Sequence, residues 1–499
     1  MTLRSLARGS LLITAANLIP RAGAFLLLPI YARFLTPAEY GTVSLAGSAA
    51  LLLAITYRLG LDAALLRLHH DVDDRERRDL YGTVAIISLA AVMALTLVVL
   101  LALPLLLTPS ALAAIGPVVV LALAIGGTNA FQYVPSVWYR ASDQPGRLFV
   151  LSLVAFAATA GVTVLLVVVV RLGAIGSLAG QLAGAAVMAV AAFVILAGGR
   201  PWRPRRDLAR RAVDFGLPLL PHSAAGWLLN VSDRWILGLL LGLAAADALA
   251  AIGIYSFGYQ LGYAIGLAAI SFNAAWLPFL YQLSDAPLAP RILREATTLV
   301  VAGFGAAAAV LAIIAPDLVG LIAPPAWAAA ADVTSVVAFA SALNAAGLML
   351  ASGLYVARRT RIVPLLAFGA VAANLGVNLV LIPRIGIMGA AWATLVAYAV
   401  LALATGIAAR RRYPLELDAP RLLAIGLAAV VPAVASRVLE VDLGPSVLQH
   451  LAWALVAVAL AVLVGREPMR RMRRLAAAAR PERDPDAASA RMAAPKETT

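Results

Sequence analysis

The sequence predicts an all-α polytopic membrane protein with about fourteen transmembrane helices. Of the 499 residues, 63% are hydrophobic and 13% are charged, which is more apolar surface than a soluble globular domain buries. Apolar runs of about 20 residues or more, long enough to cross a bilayer, recur along the chain. Basic residues concentrate in alternate connections between these runs, as the positive-inside rule requires.

The apolar runs set the order of the elements. The first run is too long for a signal-peptide core, so we interpret it as a retained span. We place the fourteen spans at 10–34, 39–68, 80–107, 112–139, 148–170, 174–198, 216–243, 250–281, 296–322, 331–357, 362–382, 386–408, 422–440 and 446–465.

The basic residues give the orientation. The N-terminus, every second connection and the tail hold 31 of the 39 Lys and Arg residues, whereas the other side holds Arg33, Arg171 and Arg384. Both termini are therefore expected on the cytoplasmic side of the inner (plasma) membrane. The net charge of +14 then reflects topology and contact with anionic lipid, and we expect no binding to nucleic acid.

The composition and the motifs argue against several kinds of chemistry. It has no cysteine, which removes disulfides, thiol catalysis and Cys-ligated metals. The connections are short and no GxxxxGK[ST] phosphate loop is present. We expect no enzyme activity, no cofactor and no metal site.

An internal repeat connects the two halves of the chain. "RLGAIG" at 171–176 matches "RIGIMG" at 384–389, an offset of 213, and Gly41 matches Gly253 at an offset of 212. Six spans separate the copies, so both halves enter the membrane in the same direction and form a parallel repeat. The expected units are an N-lobe at 1–198, a basic cytoplasmic linker at 199–215, a C-lobe at 216–408, two further spans at 409–465 and a disordered basic cytoplasmic tail at 466–499.

Polar residues within the spans supply the candidate site. The same 213-residue offset maps Asn17 onto Asn230 and Arg21 onto Arg234. Residues four apart share a helix face, so each lobe is expected to point an amide and a guanidinium toward a central cavity. Charge at this depth persists only in a wet cavity or beside a partner. The alternative is a packing pair between an arginine and Asp233 or Asp62.

Each of the other candidate site residues has two possible roles. Arg58 and Asp62 are four residues apart, so Arg58 is either a substrate-binding cavity cation or half of an ion pair. Asp62 and Asp233 are also candidates for ion coupling. Three tyrosines at spacing four form an aromatic stripe that suits either sugar stacking or, more commonly, helix packing; these are Tyr255, Tyr259 and Tyr263. Hydrogen bonding between helices is the favoured role for the other intramembrane amides, Asn129, Gln132, Asn273, Asn344, Asn374 and Asn378.

Several stretches carry a family resemblance across all fourteen spans. They are "RFLTPAEYGTVSLAG", "GLDAALLRL", "FGLPLLPHSAAGWLLNVSDRWILGLLLG", "IGIYSFGYQLG", "AAWLPFLYQL" and "IGIMGAAWATLVAY". The chain resembles the Wzx-like flippases for polysaccharide or oligosaccharide-lipid in the multidrug/oligosaccharidyl-lipid/polysaccharide exporter superfamily.

The resemblance implies a function. Such a flippase moves an undecaprenyl-diphosphate-linked oligosaccharide, a unit of O-antigen, capsule or exopolysaccharide, from the cytoplasmic to the periplasmic leaflet. By this analogy Arg21 and Arg234 bind the diphosphate or an acidic glycan, with membrane lipids, H⁺ or Na⁺ and the polysaccharide polymerase or export machinery as further partners. The alternatives are a multidrug or cation antiporter of the same superfamily, which intramembrane carboxylates would favour, and a lipid II flippase.

Overall fold

The computed structural model describes a helical protein in which no described residue forms a β-strand. The described residues are 16, 19, 23–106, 108–198, 201–241, 245–283, 288–415, 417–439 and 446–478. The first half contains α1 Gly23–Phe34, α2 Pro37–Arg58, α3 Leu61–Leu68, α4 Asp74–Leu106, α5 Pro109–Asn129, α6 Tyr133–Ala141, α7 Pro145–Thr163, α8 Gly173–Ala197 and α9 Arg206–Gly216. The second half contains α10 Leu220–Leu240, α11 Ala245–Leu283, α12 Ala289–Ile322, α13 Ala330–Val356, α14 Val363–Ile385, α15 Ile387–Arg410, α16 Ala419–Val438 and α17 Ser446–Ala478.

The predicted spans correspond to these helices. Within the described part of the chain, 12 helical stretches are long and apolar enough to cross a membrane. The other two predicted spans coincide with the shorter apolar helix α1 and with α10, whose polar residues lower its hydropathy. The polytopic all-α fold is therefore confirmed, and the count of fourteen holds approximately.

The helices pack as two lobes with two helices appended. In the N-lobe, α7 packs on α8, and α5 packs on α2 and α8. In the C-lobe, α13 packs against α11, α12 and α15, while α14 packs against α10 and α15. Helices α16 and α17 pack on α12 and on each other, at the outside of the C-lobe.

The "TPAEYG" stretch explains where α2 begins. The Thr36 hydroxyl accepts from the backbone N–H of Glu39 at 3.2 Å, and the Glu39 carboxylate accepts from the backbone N–H of Thr36 at 2.8 Å. This reciprocal capping box satisfies two amides that a helix start leaves unpaired, and Pro37 suits the first turn. The α2 start is therefore encoded locally.

The second predicted span, 39–68, is divided into two helices. Leu59 and Gly60 both adopt the left-handed conformation, with φ of 51° and 71°, which ends α2 before α3 begins. A side chain on Gly60 would collide with the carbonyl of Gly216, because the α9 end packs directly on this break. Through this contact, the break between α2 and α3 packs the N-lobe against the segment that connects the two lobes.

Two predicted unit boundaries differ from the structure. The linker at 199–215 contains α9, an amphipathic helix that buries Leu208 and Ala212 against the N-lobe and exposes its charged face. The tail that was expected to be disordered from residue 466 starts as a continuation of α17, which ends at Ala478. The rest of the tail lies outside the described residues.

The lobes meet where α2 crosses α11, near the start of both helices. Gly41 and Gly253 lie so close that a Cβ on Gly41 would overlap the Leu249 carbonyl, and one on Gly253 would overlap the Pro37 carbonyl. Close backbone approach of this kind is typical of glycine in membrane helices. One turn further along, the Ser44 hydroxyl donates to the Ser256 hydroxyl at 2.7 Å.

These contacts join equivalent positions of the repeat. Gly41 and Gly253 are 212 residues apart, and so are Ser44 and Ser256. Contact between equivalent residues is what a two-fold axis between two copies produces. The crossing of α2 and α11 therefore lies on the pseudo-two-fold axis between the lobes.

The crossing generates a prediction about conformational change. In the variant with Ser44→Cys and Ser256→Cys, oxidation should join the lobes, because the replaced hydroxyls are 2.7 Å apart and the natural chain has no other thiol. Transport by this variant, which the sequence resemblance implies is export of a glycan, should stop on oxidation and recover with a reductant, as measured by complementation in cells.

The two single-cysteine variants are the controls, since neither can form the intramolecular disulfide. Unchanged export from the fully oxidised double variant would show that the lobes need not separate here.

Candidate functional site

A cavity of about 800 Å³ lies between the lobes. Its wall is formed mainly by α1, α2, α5, α7 and α8 of the N-lobe, and by residues of α10 and α11 from the C-lobe. The lining reaches Ser136 and Leu148, which flank the connection between α6 and α7 on the side where the basic connections lie. On the other side of the membrane, the α2–α11 crossing brings the lobes together. We call these the basic side and the opposite side.

Arg234 is the charged group of this cavity. It is the only charged side chain among the described lining residues, and its residue surface is 8% exposed. Its Nε donates to the hydroxyls of Ser44 and Ser256 at 3.0 and 3.1 Å, and its Nη1 donates to the Asn230 carbonyl at 3.1 Å. The guanidinium also lies over the Tyr259 ring, 4.8 Å from its centroid. Arg234 therefore contacts both lobes at the pseudo-two-fold axis.

No carboxylate of the described residues neutralises Arg234 within 4.0 Å. Hydroxyls, a carbonyl and an aromatic face hold the guanidinium, and its Nη2 makes no hydrogen bond with any described residue. Placing an arginine at this depth costs about 3 kcal/mol or more without compensation. An anion that enters the cavity would find a positive charge with a free donor, in the planar geometry that suits phosphate oxygens.

Asp233 points to the other side of α10, into the interior of the C-lobe. It is fully buried and accepts from the Tyr255 hydroxyl at 2.8 Å, the Asn378 amide at 2.8 Å and the Thr394 hydroxyl at 3.0 Å. Successive residues on a helix diverge by about 100°, which separates it from Arg234. The alternative of an Asp233–Arg234 packing pair is therefore not what the structure contains.

Two polar atoms beside Asp233 remain without partners. The Asn378 amide also donates to the Asn374 side-chain oxygen at 2.9 Å, but Oδ1 of Asn378 and Nδ2 of Asn374 are buried and unpaired. Orphaned polar atoms in a buried cluster are costly, and they are common where a small ligand or a proton belongs. This buried group, Asp233, Tyr255, Asn374, Asn378 and Thr394, is called the C-lobe polar cluster below.

The remaining predicted site residues occupy different places. Asn230 does not line the cavity: its side chain accepts from the Tyr398 hydroxyl and donates to the Gly226 carbonyl, both at 2.8 Å. Asn17 and Arg21, the predicted counterparts in the first span, lie outside the described residues.

Arg58 also stands apart from the cavity wall. Its Nη2 donates to the Asn129 carbonyl at 2.6 Å, while its Nε is buried without a partner. Among the described carboxylates, Asp62 included, none forms an ion pair with Arg58 within 4.0 Å. Because Asn129 itself lines the cavity, Arg58 supports the wall from behind.

The aromatic stripe is part of the C-lobe packing. Tyr255 and Tyr259 are buried, and the rings of Tyr259 and Tyr263 are stacked with centroids 5.9 Å apart. None of the three tyrosines lines the cavity, and the rings that do are Tyr31, Tyr40 and Phe156. The sequence carried no periodic signal for these three rings, because each lies on a different helix.

Removal of the Asp233 carboxylate should destabilise the fold. Asp233→Ala leaves the buried Tyr255 hydroxyl and one N–H of the Asn378 amide without an acceptor, whereas the Thr394 hydroxyl can still donate to the Ala390 carbonyl at 3.1 Å. Each unpaired donor costs about 1–3 kcal/mol, so we expect the free energy of unfolding to fall by about 2 kcal/mol or more, seen as a lower melting temperature in detergent by tryptophan fluorescence. Asp214→Ala, at an exposed carboxylate on α9, is the matched control. Equal melting temperatures for the two variants would contradict the hydrogen-bonded cluster.

Comparison with known proteins identifies the family of the chain and proteins that share its fold. The family model described as "Polysaccharide biosynthesis protein" matches residues 6–284, more than half of the chain. A search of curated protein sequences gave no match.

Solved structures share the fold at low sequence identity. One is the lipid II flippase MurJ in an inward closed conformation, with 12% identity, a TM-score of 0.73, and coverage of 92% of this chain and 100% of that one. Another is an inward-facing multidrug resistance MATE family transporter of the MOP superfamily, with 17% identity, a TM-score of 0.56, and coverage of 80% and 94%. A third is a MOP superfamily transporter from Pyrococcus furiosus, with 15% identity, a TM-score of 0.52, and coverage of 84% and 96%. The chain therefore belongs to the polysaccharide biosynthesis protein family and has the fold of the MurJ and MATE membrane transporters.

Proposed function

We propose that the protein is a flippase that moves an undecaprenyl-diphosphate-linked oligosaccharide from the cytoplasmic to the periplasmic leaflet of the inner membrane. The observation that carries this proposal is Arg234, a buried guanidinium with no carboxylate partner among the described residues, in a cavity between two lobes. A fixed positive charge inside the membrane suits the diphosphate or an acidic sugar of the headgroup. The basic side of the protein is then the cytoplasmic side, with both termini there.

The shape of the cavity supports a headgroup substrate. A volume of about 800 Å³ is in the range that encloses a compact polar ligand. A long polyprenyl tail is apolar and stays in lipid, where α16 and α17 offer additional apolar surface beside α12. The headgroup would enter from the cytoplasmic side, because the α2–α11 crossing brings the lobes together on the other side.

Transport requires that the lobes separate at this crossing. In the alternating-access mechanism the two lobes rock about a central site. The bonds that would break are the Ser44–Ser256 hydrogen bond and the bond from Arg234 to Ser44. Since Arg234 takes part in both the closure and the cavity, anion binding there would act directly on the contact between the lobes.

Asp233 is the proposed ion-coupling group. It is a single carboxylate enclosed by hydrogen-bond donors and by the unpaired Asn378 oxygen, so a proton or Na⁺ would change the charge of the C-lobe polar cluster. The Tyr255 hydroxyl donates to Asp233, and the Tyr255 ring packs against the Tyr259 ring, over which the Arg234 guanidinium lies. Asp62, the second candidate, lies in the first turn of α3 beside the left-handed break, without an ion pair in the described chain.

A cation antiporter is the weaker alternative. Binding of cationic drugs calls for carboxylates in the cavity, and the described lining residues include none. A lipid II flippase remains the second candidate, because the MurJ structure shares the fold over nearly the whole chain. Both substrates carry a diphosphate, and the rest of the headgroup distinguishes them.

A complementation assay tests the proposal. Arg234→Ala and Arg21→Ala should each abolish export of surface glycan while the protein still inserts, because the anion loses its counter-charge. Arg234→Lys should restore export only in part, since an ammonium cannot make the bidentate contact.

Arg210→Ala, at an exposed arginine on α9, is the control for loss of a positive charge. Normal export from the Arg21→Ala, Arg234→Ala double variant would exclude the cationic site. Rescue of peptidoglycan synthesis instead of glycan export by the wild-type protein would favour the lipid II alternative.

The coupling role has its own test. Asp233→Asn keeps the shape of the side chain but removes the charge, so proteoliposomes with this variant should translocate a lipid-linked glycan without responding to a Na⁺ or pH gradient. The wild-type protein should respond to one of the two gradients. An unchanged gradient response in Asp233→Asn would assign coupling to another group.

A further inference from the structure

We infer that the N-lobe wall of the cavity is a binding site for uncharged sugars, formed by Asn129, Gln132 and Gln181 with the ring of Phe156. This inference rests on the proposed function and deepens it, because it assigns charge recognition to the C-lobe and glycan recognition to the N-lobe.

The composition of the wall is the first observation. Only six of the described lining residues come from the C-lobe, and these are Arg234, Ser256, Gln260, Ile270, Ser271 and Ala274. The N-lobe supplies the rest of the described lining, and none of those side chains is charged. The cavity is therefore asymmetric, although the helices that form it are related by a repeat.

The state of the amides is the second observation. The side chains of Asn129, Gln132 and Gln181 line the cavity and make no hydrogen bond with any described residue. None of their polar atoms is sealed from the cavity, in contrast to Asn374 and Asn378, which bond to each other. Helix bonding thus describes Asn374 and Asn378 and not these three.

The chemistry follows from the type of side chain. An amide offers one acceptor and two donor hydrogens, which matches sugar hydroxyls and acetamido groups that both donate and accept. Carboxylates and phosphates instead favour guanidinium groups, which the described N-lobe lining lacks. An unpaired amide inside the membrane is costly unless water or a ligand satisfies it. Uncharged pyranose sugars fit this wall better than acidic ones.

The positions of these groups along the cavity predict where each part of the substrate would lie. Arg234 and Ser44 lie toward the opposite side, about 10 Å from the α2 start at the rise of 1.5 Å per residue. Asn129 and Gln132 lie at the junction of α5 and α6 near the basic side, and Gln181 on α8 comes close to Gly47 of α2 between the two levels. Phe156 on α7 faces the same cavity, and its ring packs over Gly23 of α1. The anion would bind deepest, and neutral sugars would line the N-lobe wall toward the cytoplasm.

Two lipid probes distinguish recognition of the anion from recognition of the sugar. Binding of undecaprenyl diphosphate and of undecaprenyl diphosphate carrying a neutral tri-N-acetylglucosamine would be measured on the purified full chain by native mass spectrometry. Gln132→Met and Gln181→Met keep the size of the side chain and remove its polar atoms. Asn344→Leu, on the C-lobe helix α13 and outside the cavity lining, is the control for loss of an intramembrane amide.

Each glutamine variant should bind the glycolipid roughly tenfold more weakly than the wild type and the bare diphosphate equally well, because only hydrogen bonds to sugar are lost. Arg234→Gln should weaken binding of both probes. Should one glutamine variant fail to fold, the other carries the test alone.

Other results would overturn the inference in distinguishable ways. The inference is wrong if the glutamine variants bind the glycolipid as tightly as the wild type, or if the wild type binds both probes with the same affinity. In either case, weaker binding of both probes by Arg234→Gln would still support the proposed function. Failure of the wild type to bind either probe would contradict the proposed function and this inference together.

Discussion

The Arg234 guanidinium, buried where the two lobes cross, is the constraint on which the rest of the structure depends. Its charge is held by two serine hydroxyls, a backbone carbonyl and a tyrosine ring, without a carboxylate within 4.0 Å in the described chain. The two serines are equivalent positions of the repeat and belong to different lobes. One side chain thus connects the contact between the lobes with the charge of the cavity, and in the proposed function it also binds the substrate.

The neighbouring Asp233 shows how the helix separates two kinds of chemistry. Arg234 faces the cavity, whereas Asp233 faces the C-lobe polar cluster, and the two side chains share no hydrogen-bond partner. If the two had formed an ion pair, the cavity would have lost its charge and the cluster its acceptor. The separation leaves a positive charge at the cavity and a carboxylate inside the C-lobe, which are the groups that the proposed function assigns to the anion and to the coupling ion.

Much of this architecture could be predicted from the sequence, for physical reasons. Long apolar runs predict the helices, and the 212–213-residue offset predicted the two lobes. The offset related Gly41 to Gly253, and the structure shows that these residues touch each other. The stop of α2 at Leu59–Gly60 and the helix α9 were missed, because hydropathy does not register left-handed residues or a short amphipathic helix.

The candidate site could be predicted only in part. The 213-residue offset and the depth of Arg234 within a span marked it as a candidate, and the cavity lining includes it. The environment of a side chain depends on contacts between distant helices, so the sequence could not decide whether Asp233 pairs with Arg234 or whether the tyrosine stripe stacks on sugar. Gln181 and Phe156 gave no signal at all, since a single amide or ring in an apolar helix has no periodic pattern to mark it.

The most direct test of the central claim is an experimental structure with an undecaprenyl-diphosphate-linked glycan bound. The proposed function predicts a phosphate oxygen or an acidic sugar oxygen within hydrogen-bond distance, about 3 Å, of the Arg234 guanidinium. A headgroup bound elsewhere, with Arg234 still held only by Ser44, Ser256 and the Asn230 carbonyl, would contradict it.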